Sequence, residues 1–584
     1  MSDIEVNQNK IFSRVASVAK SGMPFTARTL RFISSETRGM HQAAYILAAF
    51  SLASQLLGLL RDRLLASAFG AGHTLDLYYA AFRVPDLIFA TIASLFSLYA
   101  LLPVLSRFES EREGLMVRFL RDILGVFFLG MTLVAAVAFV CAPLIAPLIA
   151  PGLSDVASRA DLILLIRILL LQPIFLGASN TVAALTQLRH RFILYSISPL
   201  LYNLGIIFGA IVLYPYFGIQ GLGWGVVLGA LLHMAVQLPY FLQEKPATGL
   251  SFPRVFAGVR EVLMLSVPRT LALASTQISL LALVAIASLL APGSIAVFMF
   301  AYNLQSVPLT IIGVSYAVAA FPTLARLHAR GARDEFIRYV ESALRHVIFW
   351  SIPATVFVIV LRAQIVRVIL GAGQFNWDAT RLTAAALALF TLSLCAQSLT
   401  LIIARAYYAV GNTRKPFYFG CADIAISILS ALALVVVFKG DPFFQEFVES
   451  LLRVQDVPGS TVLMLSFGYA LGSIAEFLVS YFYFMRDFGL SHASLRRLTF
   501  ESFAASVIGG ACAYGILLIF GSNAQINTTL SLVVESVLAG ATGLLVAGGI
   551  LWVLKNREFS EAVATLRRRF ASAPQVAVEP SDIS

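Results

Sequence analysis

Residues 123–142 read ILGVFFLGMTLVAAVAFVCA, a run of 20 residues without a charged side chain. A membrane whose hydrocarbon core is about 30 Å thick requires roughly 20 apolar residues for one helical span. Apolar side chains occupy consecutive positions here and do not alternate with polar ones, as they would in a strand of a membrane barrel. The stretch therefore predicts a transmembrane α-helix.

Comparable apolar runs recur from Tyr45 to Leu554. The chain has 584 residues, of which 59% are hydrophobic and 12% charged, and this balance excludes an ordinary water-soluble protein. We predict an all-α polytopic membrane protein with about 14 transmembrane helices. The predicted spans are 43–60, 78–105, 119–147, 161–187, 192–213, 218–242, 261–290, 295–325, 345–370, 379–409, 416–438, 461–485, 500–521 and 530–554.

The basic residues behind the net charge of +11 are concentrated in alternate loops, so this charge does not indicate a nucleic-acid partner. Alternate loops are rich in Arg and Lys, whereas the loops between them carry few basic residues and include an acidic segment at 439–460. Because cytoplasmic loops carry an excess of basic residues, the basic set is predicted to be cytoplasmic. The basic tails at 1–42 and 555–584 fall on the same side, so both termini are predicted in the cytoplasm, at a bacterial inner membrane.

Short similarities relate the two halves of the chain. Residues 103–107 (PVLSR) close the second span and residues 322–326 (PTLAR) close the eighth. Glycine pairs occupy span 6 and span 12, at Gly225 and Gly229 and at Gly468 and Gly472, although such pairs are common wherever helices pack closely. The repeat predicts two six-helix lobes with a substrate site between them, an arrangement frequent in transporters. The predicted parts are an N-lobe at 43–242, a C-lobe at 261–485 and two further helices at 500–554.

Charged residues at membrane depth are costly and are therefore candidates for function. Most of them lie in or next to the first two spans, namely Arg61, Asp62, Asp76, Arg83 and Asp86. The planar guanidinium group of Arg suits phosphate oxygens, so this set predicts a site for a phosphate-bearing substrate. The alternative is that Arg61 and Asp62 pair locally at a helix end.

Asp423 lies within span 11, and a buried carboxylate there could bind a coupling cation such as Na⁺, or carry H⁺. The alternative is a hydrogen bond to a Ser, Thr or Gln of a neighbouring helix. Glu476 in span 12 has the same two interpretations. Arg362 and Arg367, near the outer end of span 9, are expected to extend to the lipid headgroups.

No sequence pattern indicates an enzyme. The chain has no Ser-His-Asp grouping, nucleotide-binding loop or metal-ligand spacing, and its four cysteines all lie in predicted spans. We therefore predict a protein that is not an enzyme, without a cofactor, whose transport is coupled to an ion, the membrane potential or the substrate gradient.

Three stretches resemble a known family. They are 58–72 (GLLRDRLLASAFGAG), 81–87 (AFRVPDL) and 405–416 (RAYYAVGNTRKP). In these stretches the chain is similar to the MurJ (MviN) lipid II flippases of the multidrug/oligosaccharidyl-lipid/polysaccharide exporter superfamily. The resemblance implies 14 helices in two lobes forming a V, a central cationic cavity for a lipid diphosphate, alternating access, and a groove at helices 13 and 14 for the polyprenyl tail.

Arg61, Asp62, Asp76 and Arg83 match the family at its cavity, whereas three other places depart from it. Gln55 and Asn303 stand where the family usually has Arg, and the segment after Pro85 lacks the usual Arg and Glu residues. The resemblance implies a flippase for a polyprenyl-diphosphate-linked glycopeptide, with membrane lipids and cell-wall synthesis proteins as further partners. Two alternatives remain: a related polysaccharide-lipid flippase or cation-coupled drug exporter, and a membrane scaffold for wall synthesis that does not transport.

Overall fold

The computed structural model describes residues 40–96, 101, 105, 114–189, 191–243, 252–489, 493–521 and 529–571. No β-strand occurs in these ranges. The predicted tail at 1–39, the last residues from 572 and most of the PVLSR copy at 103–107 lie outside the described residues.

Each of the 14 predicted spans has a helical counterpart within the described residues. In chain order these are α1 Met40–Phe69, α2 His73–Thr91, α3 Leu115–Ile149, α4 Val156–Leu188, α5 Phe192–Phe217, α6 Ile219–Gln243, α7 Phe252–Ser288, α8 Ser294–Ala329, α9 Arg333–Val360, α10 Trp377–Thr391 with Leu394–Ala409, α11 Arg414–Gly440, α12 Ser460–Phe488, α13 Ala493–Gly521 and α14 Thr529–Val553. Ten of the described helices are long and apolar enough to cross a membrane, or up to 11 if the two parts of α10, bent by 43°, form one span.

Many large apolar side chains point outward from these helices. On α3, Leu129 and Leu144 are each 76% exposed, which would be unfavourable in water and is expected against lipid. The inner faces pack against each other, and in the C-terminal half a core forms around Leu344, Ile402 and Tyr407. The apolar residues of the sequence thus serve two purposes, contact with lipid and packing between helices.

By its internal contacts the chain divides into two compact units. The first comprises residues 1–61, 84–142 and 164–270, and the second comprises residues 62–83, 143–163 and 271–584. Each is described below by itself. The boundaries of the two lobes, 43–242 and 261–485, stay a prediction from the sequence.

The glycine pairs lie at close helix crossings in both units. In the first unit, a Cβ atom added to Gly225 of α6 would lie 2.4 Å from the Cα of Gly209 in α5. In the second, a Cβ added to Gly468 of α12 would lie 2.6 Å from the Cα of Ala431 in α11. Neither distance is possible for real atoms, so only glycine allows these backbones to approach so closely.

The structure differs from the predicted elements in three places. Helix α1 continues to Phe69 and ends only at Gly70, whose φ of +62° terminates it, so Arg61 lies inside the helix and not after its end. The span predicted at 345–370 is divided into α9 and a separate short helix, Arg362–Ile369. The segment 439–460, predicted as a plain acidic loop, contains the helix Pro442–Leu452, whose first turn is capped by Asp441.

Candidate functional site

Arg61 is held inside the first unit by a polar partner on another helix. Its Nη1 donates a hydrogen bond to the Oδ1 of Asn203 in α5 at 3.1 Å, across 142 positions of sequence. The amide of Asn203 in turn donates to the carbonyl of Pro199 at 3.1 Å, which orients its oxygen towards the arginine. Arg61 as a residue is partly exposed.

Asp62, the next residue, belongs to the second unit and is 4% exposed. Its Oδ2 accepts a hydrogen bond from the amide of Asn303 in α8 at 3.2 Å. Asn303 is one of the positions at which the chain departs from the family pattern. The amide of Asn303 is a neutral donor to this carboxylate.

Asp76 caps the beginning of α8. Its two carboxylate oxygens accept from the backbone N–H groups of Gly293 at 2.5 Å and Ala296 at 2.8 Å, and the residue is 4% exposed. The first N–H groups of a helix have no partner within it, so a carboxylate at this place is strongly favoured. Gly293 reaches the required turn with a φ of +89°. In this structure the Asp76 carboxylate therefore serves as a helix cap.

Arg83 and Asp86 lie on the next turns of α2. Arg83 is 6% exposed, and its Nε donates to the carbonyl of Tyr79 at 3.3 Å. Asp86 is half-buried. The role in substrate binding predicted for Arg61, Asp62, Asp76, Arg83 and Asp86 stays a prediction, and the contacts above are the ones from which it can be tested.

Asp423 lies in a buried polar cluster formed by three helices of the second unit. The hydroxyl of Ser279 in α7 donates to its Oδ2 at 3.2 Å, and that of Ser427 in α11 donates to its Oδ1 at 3.3 Å. Glu476 of α12 is close enough to interact with Asp423 electrostatically. The alternative of a hydrogen bond to a neighbouring serine is therefore observed. The polar atoms of these side chains around Asp423 are oxygens, the ligands that hard cations prefer. The predicted cation site is compatible with this arrangement and stays a prediction.

A second polar cluster, in the first unit, was not predicted from the sequence. The hydroxyl of Ser179 in α4 lies 2.8 Å from the His233 Nδ1 and accepts from the Gln237 amide at 2.8 Å. Gln237 also donates to the hydroxyl of Ser198 in α5 at 3.1 Å. These residues are ordinary in type and distant in sequence, so no local pattern signals them. They join α4, α5 and α6 through hydrogen bonds in an apolar surrounding.

Comparison with known proteins adds to this geometry. A family model described as "Lipid II flippase MurJ" matches residues 65–441, more than half of the chain. The chain belongs to the MurJ family. The resemblance found from the three sequence stretches is thereby confirmed. Asp76, Arg83, Asp86 and Asp423 lie inside the matched range, whereas Arg61 and Asp62 precede it.

MurJ relatives match over most of their own length. A relative from Rhizobium tropici is 30% identical over 397 residues, which are 66% of this chain and 73% of the relative. The lipid II flippase MurJ of Burkholderia cenocepacia is 26% identical over 404 residues, 68% and 78% of the two chains. A relative from Thermotoga maritima is 25% identical over 471 residues, 75% and 94% of the two chains.

Solved structures show the same fold. A lipid II flippase MurJ in an inward closed conformation superposes with a TM-score of 0.64 at 20% identity, covering 88% of this chain and all of the other. An inward-facing multidrug resistance transporter of the MATE family has a TM-score of 0.57 at 15% identity and covers 74% and 94% of the two chains. This member of the family is thus an all-α, multi-pass bacterial membrane protein with a transporter fold.

Proposed function

We propose that this protein translocates lipid II, the lipid-linked precursor of peptidoglycan, across the cytoplasmic membrane by alternating access. The observation that carries the proposal is the match of the MurJ family model over residues 65–441. Relatives that match over about three quarters of their length are named as lipid II flippases. Translocation moves the substrate without breaking a covalent bond in it, so we expect no catalytic activity. Cell-wall synthesis proteins, which would consume the product, are the partner proteins we expect.

Complementation tests this function. A strain depleted of its own lipid II flippase should grow when it expresses this chain, and flipped lipid II should become accessible at the outer face. Growth failure despite normal amounts of membrane-inserted protein would contradict the proposal. Export of a cationic drug with no effect on lipid II would instead favour the alternative of a drug exporter.

We propose that Arg61 supplies positive charge to the lipid diphosphate. A charge-assisted hydrogen bond contributes roughly 1.5–3 kcal/mol, so Arg61→Ala should reduce complementation severely. Asn203→Ala is the matched control, because it removes the hydrogen bond partner of Arg61 but leaves its charge. Growth with Asn203→Ala and failure with Arg61→Ala would support a direct role of the charge, whereas equal failure would indicate that the contact only supports the fold.

We also propose that a cation bound at Asp423 couples transport to an ion gradient. Substitution Asp423→Asn keeps the shape of the side chain, and its amide can accept from one of Ser279 and Ser427 and donate to the other, but it removes the charge that a cation requires. In proteoliposomes the wild-type rate should depend on a Na⁺ or H⁺ gradient, and the Asp423→Asn rate should not. Ser279→Ala is the control that removes one hydrogen bond and keeps the charge. An unchanged gradient dependence in Asp423→Asn would contradict this site.

The orientation with both termini in the cytoplasm is part of the same proposal. It is supported by the alternating distribution of Arg and Lys between loops and by the even number of predicted spans.

A further inference from the structure

The second unit contains a cavity of about 610 Å³ that plays no part in the proposed function. It lies where α9 ends, where α10 begins and where α13 approaches its end, and the helix Pro442–Leu452 closes one side. It is separate from the Asp423 cluster, since none of that cluster's residues lines it. We call it the arginine pocket, after Arg362, Arg381 and Arg453, which line it.

The three arginines come from three different segments and are held by hydrogen bonds to backbone carbonyls and to one tyrosine hydroxyl. Nε and Nη2 of Arg381 both donate to the carbonyl of Arg453, at 3.0 and 2.6 Å. Arg453 donates from Nη2 to the hydroxyl of Tyr514 at 2.6 Å, and Nη1 of Arg362 donates to the carbonyl of Ile359 at 3.0 Å. Each guanidinium group has five N–H donors, so donors remain for a ligand.

The pocket concentrates positive charge without a compensating carboxylate. Arg362 and Arg453 are close enough to repel each other. No Asp or Glu is among the described residues that line the cavity, and in the described part of the chain none of the three arginines forms an ion pair with a carboxylate. Bringing like charges together costs free energy unless an anion is bound between them. The chemistry of the pocket therefore favours an anionic ligand.

The other wall of the pocket is apolar and reaches the lipid-facing surface. Leu451 and Leu518 line the cavity and are 66% and 57% exposed. On the helix Pro442–Leu452, Phe443, Phe447 and Leu451 follow each other at intervals of four residues and are all exposed, so they form one apolar face. Such a helix lies in the plane of the membrane interface with its apolar face in the lipid. An interfacial position of this helix places the arginine pocket at the depth of the lipid headgroups.

We propose that the arginine pocket binds the phosphate group of an anionic membrane lipid, with the first part of an acyl chain against Leu451 and Leu518. The guanidinium group is well suited to phosphate oxygens because it can donate two parallel hydrogen bonds. Basic pockets between transmembrane helices are a known mode of headgroup recognition. This ligand is a resident lipid and not the transported one, so the site goes beyond the proposed function and does not depend on it.

Binding of dioctanoyl phosphatidylglycerol to the purified full chain tests the proposal, with dioctanoyl phosphatidylcholine and inorganic pyrophosphate as comparison ligands. Two variants remove a charge and preserve the local structure. Arg453→Gly removes the steric strain of the left-handed backbone at this position, where φ is +61°. Arg362→Gln keeps a side chain that can donate to the carbonyl of Ile359. Lys439→Ala is the matched control, because this exposed lysine lies in the last turn of α11, just before the same interfacial helix, but does not line the cavity.

Each pocket variant should bind phosphatidylglycerol about 10-fold to 100-fold more weakly than the wild type, and Lys439→Ala should bind it normally. Phosphatidylcholine should bind weakly to all four proteins. Unchanged phosphatidylglycerol binding in both pocket variants, or an equal loss in Lys439→Ala, would overturn the proposal. Pyrophosphate binding that equals phosphatidylglycerol binding and depends on Arg362 would overturn the lipid assignment, because the apolar wall would then contribute nothing.

Discussion

At the scale of single residues, the charged side chains near the first two helices have well-defined partners. Arg61 donates to Asn203 and Asp62 accepts from Asn303, while Asp76 accepts from the first N–H groups of α8. The sequence indicates that these charges are unusual for a membrane protein, since each is costly in lipid. Only the coordinates show which neighbour offsets that cost. For Asp76 the neighbour is a helix end, which leads to a prediction about stability.

Substitution Asp76→Ala should lower the free energy of unfolding by roughly 1.5–3 kcal/mol, because buried N–H groups of α8 lose a charged acceptor. Asp76→Asn retains one acceptor oxygen and should have a smaller effect. Thermal unfolding in detergent, followed by tryptophan fluorescence, measures both. Asp378→Ala is a control in the first turn of α10, where the residue is exposed and little change is expected. Normal unfolding of Asp76→Ala combined with lost transport would instead favour direct substrate binding.

At the scale of helices, glycine determines how closely neighbours pack. The pairs α5 with α6 and α11 with α12 each contain a crossing at which a Cβ atom would overlap the backbone of the partner helix. The glycine pairs were predicted from the sequence with two meanings, a repeat or close packing, and close packing is observed in both units. Since lipid competes equally for apolar surface, close contact of backbones is what holds such helices together.

Gly225→Ala and Gly468→Ala should each destabilise the protein by about 1–3 kcal/mol, because the added methyl group requires the helices to separate. Gly515→Ala in α13 is the matched control, since a Cβ atom there has nothing within 4 Å. It should be neutral or slightly stabilising, because alanine is the better helix former. Midpoints of thermal unfolding in one detergent give the comparison. A similar effect at all three positions would mean that helix propensity, not packing, is being measured.

At the scale of the whole molecule, the distribution of charge predicts the orientation in the membrane. Basic residues are concentrated in alternate loops, and the loop before α9 and the segment before α12 are predicted on opposite sides. The structure provides two exposed positions for a test, Glu335 in the first turn of α9 and Gln455 before α12.

In a chain whose native cysteines Cys141, Cys395, Cys421 and Cys512 are replaced by Ser, single cysteines report the side of each loop. Gln455→Cys should react with a membrane-impermeant maleimide in intact spheroplasts, and Glu335→Cys should react only after permeabilisation. The cysteine-free chain controls for background labelling. The reverse pattern would invert the proposed orientation, and labelling of both positions from one side would contradict the number of spans between them.

The sequence alone determined the helical class, the approximate position of the helix at each predicted span, the family and the unusual charges. These properties depend on hydropathy and charge summed over short segments of sequence, because transfer of 20 apolar residues into lipid is favourable whatever their partners are. Its limits appeared at Arg61, where helix α1 continues beyond the predicted end. They also appeared at the helix Pro442–Leu452, whose 11 residues are too few, and with Gln445, Glu446 and Glu449 too polar, to be recognised as a membrane segment.

The tertiary structure decided the partners. The contacts of Arg61 with Asn203 and of Asp76 with Gly293 join residues 142 and 217 positions apart, and the arginine pocket combines segments around residues 362, 381 and 453. A hydrogen bond or a shared anion requires atoms to meet within about 3 Å. Hydropathy acts over whole segments and carries no such directional information, so the sequence could identify these charges but not the groups that they contact.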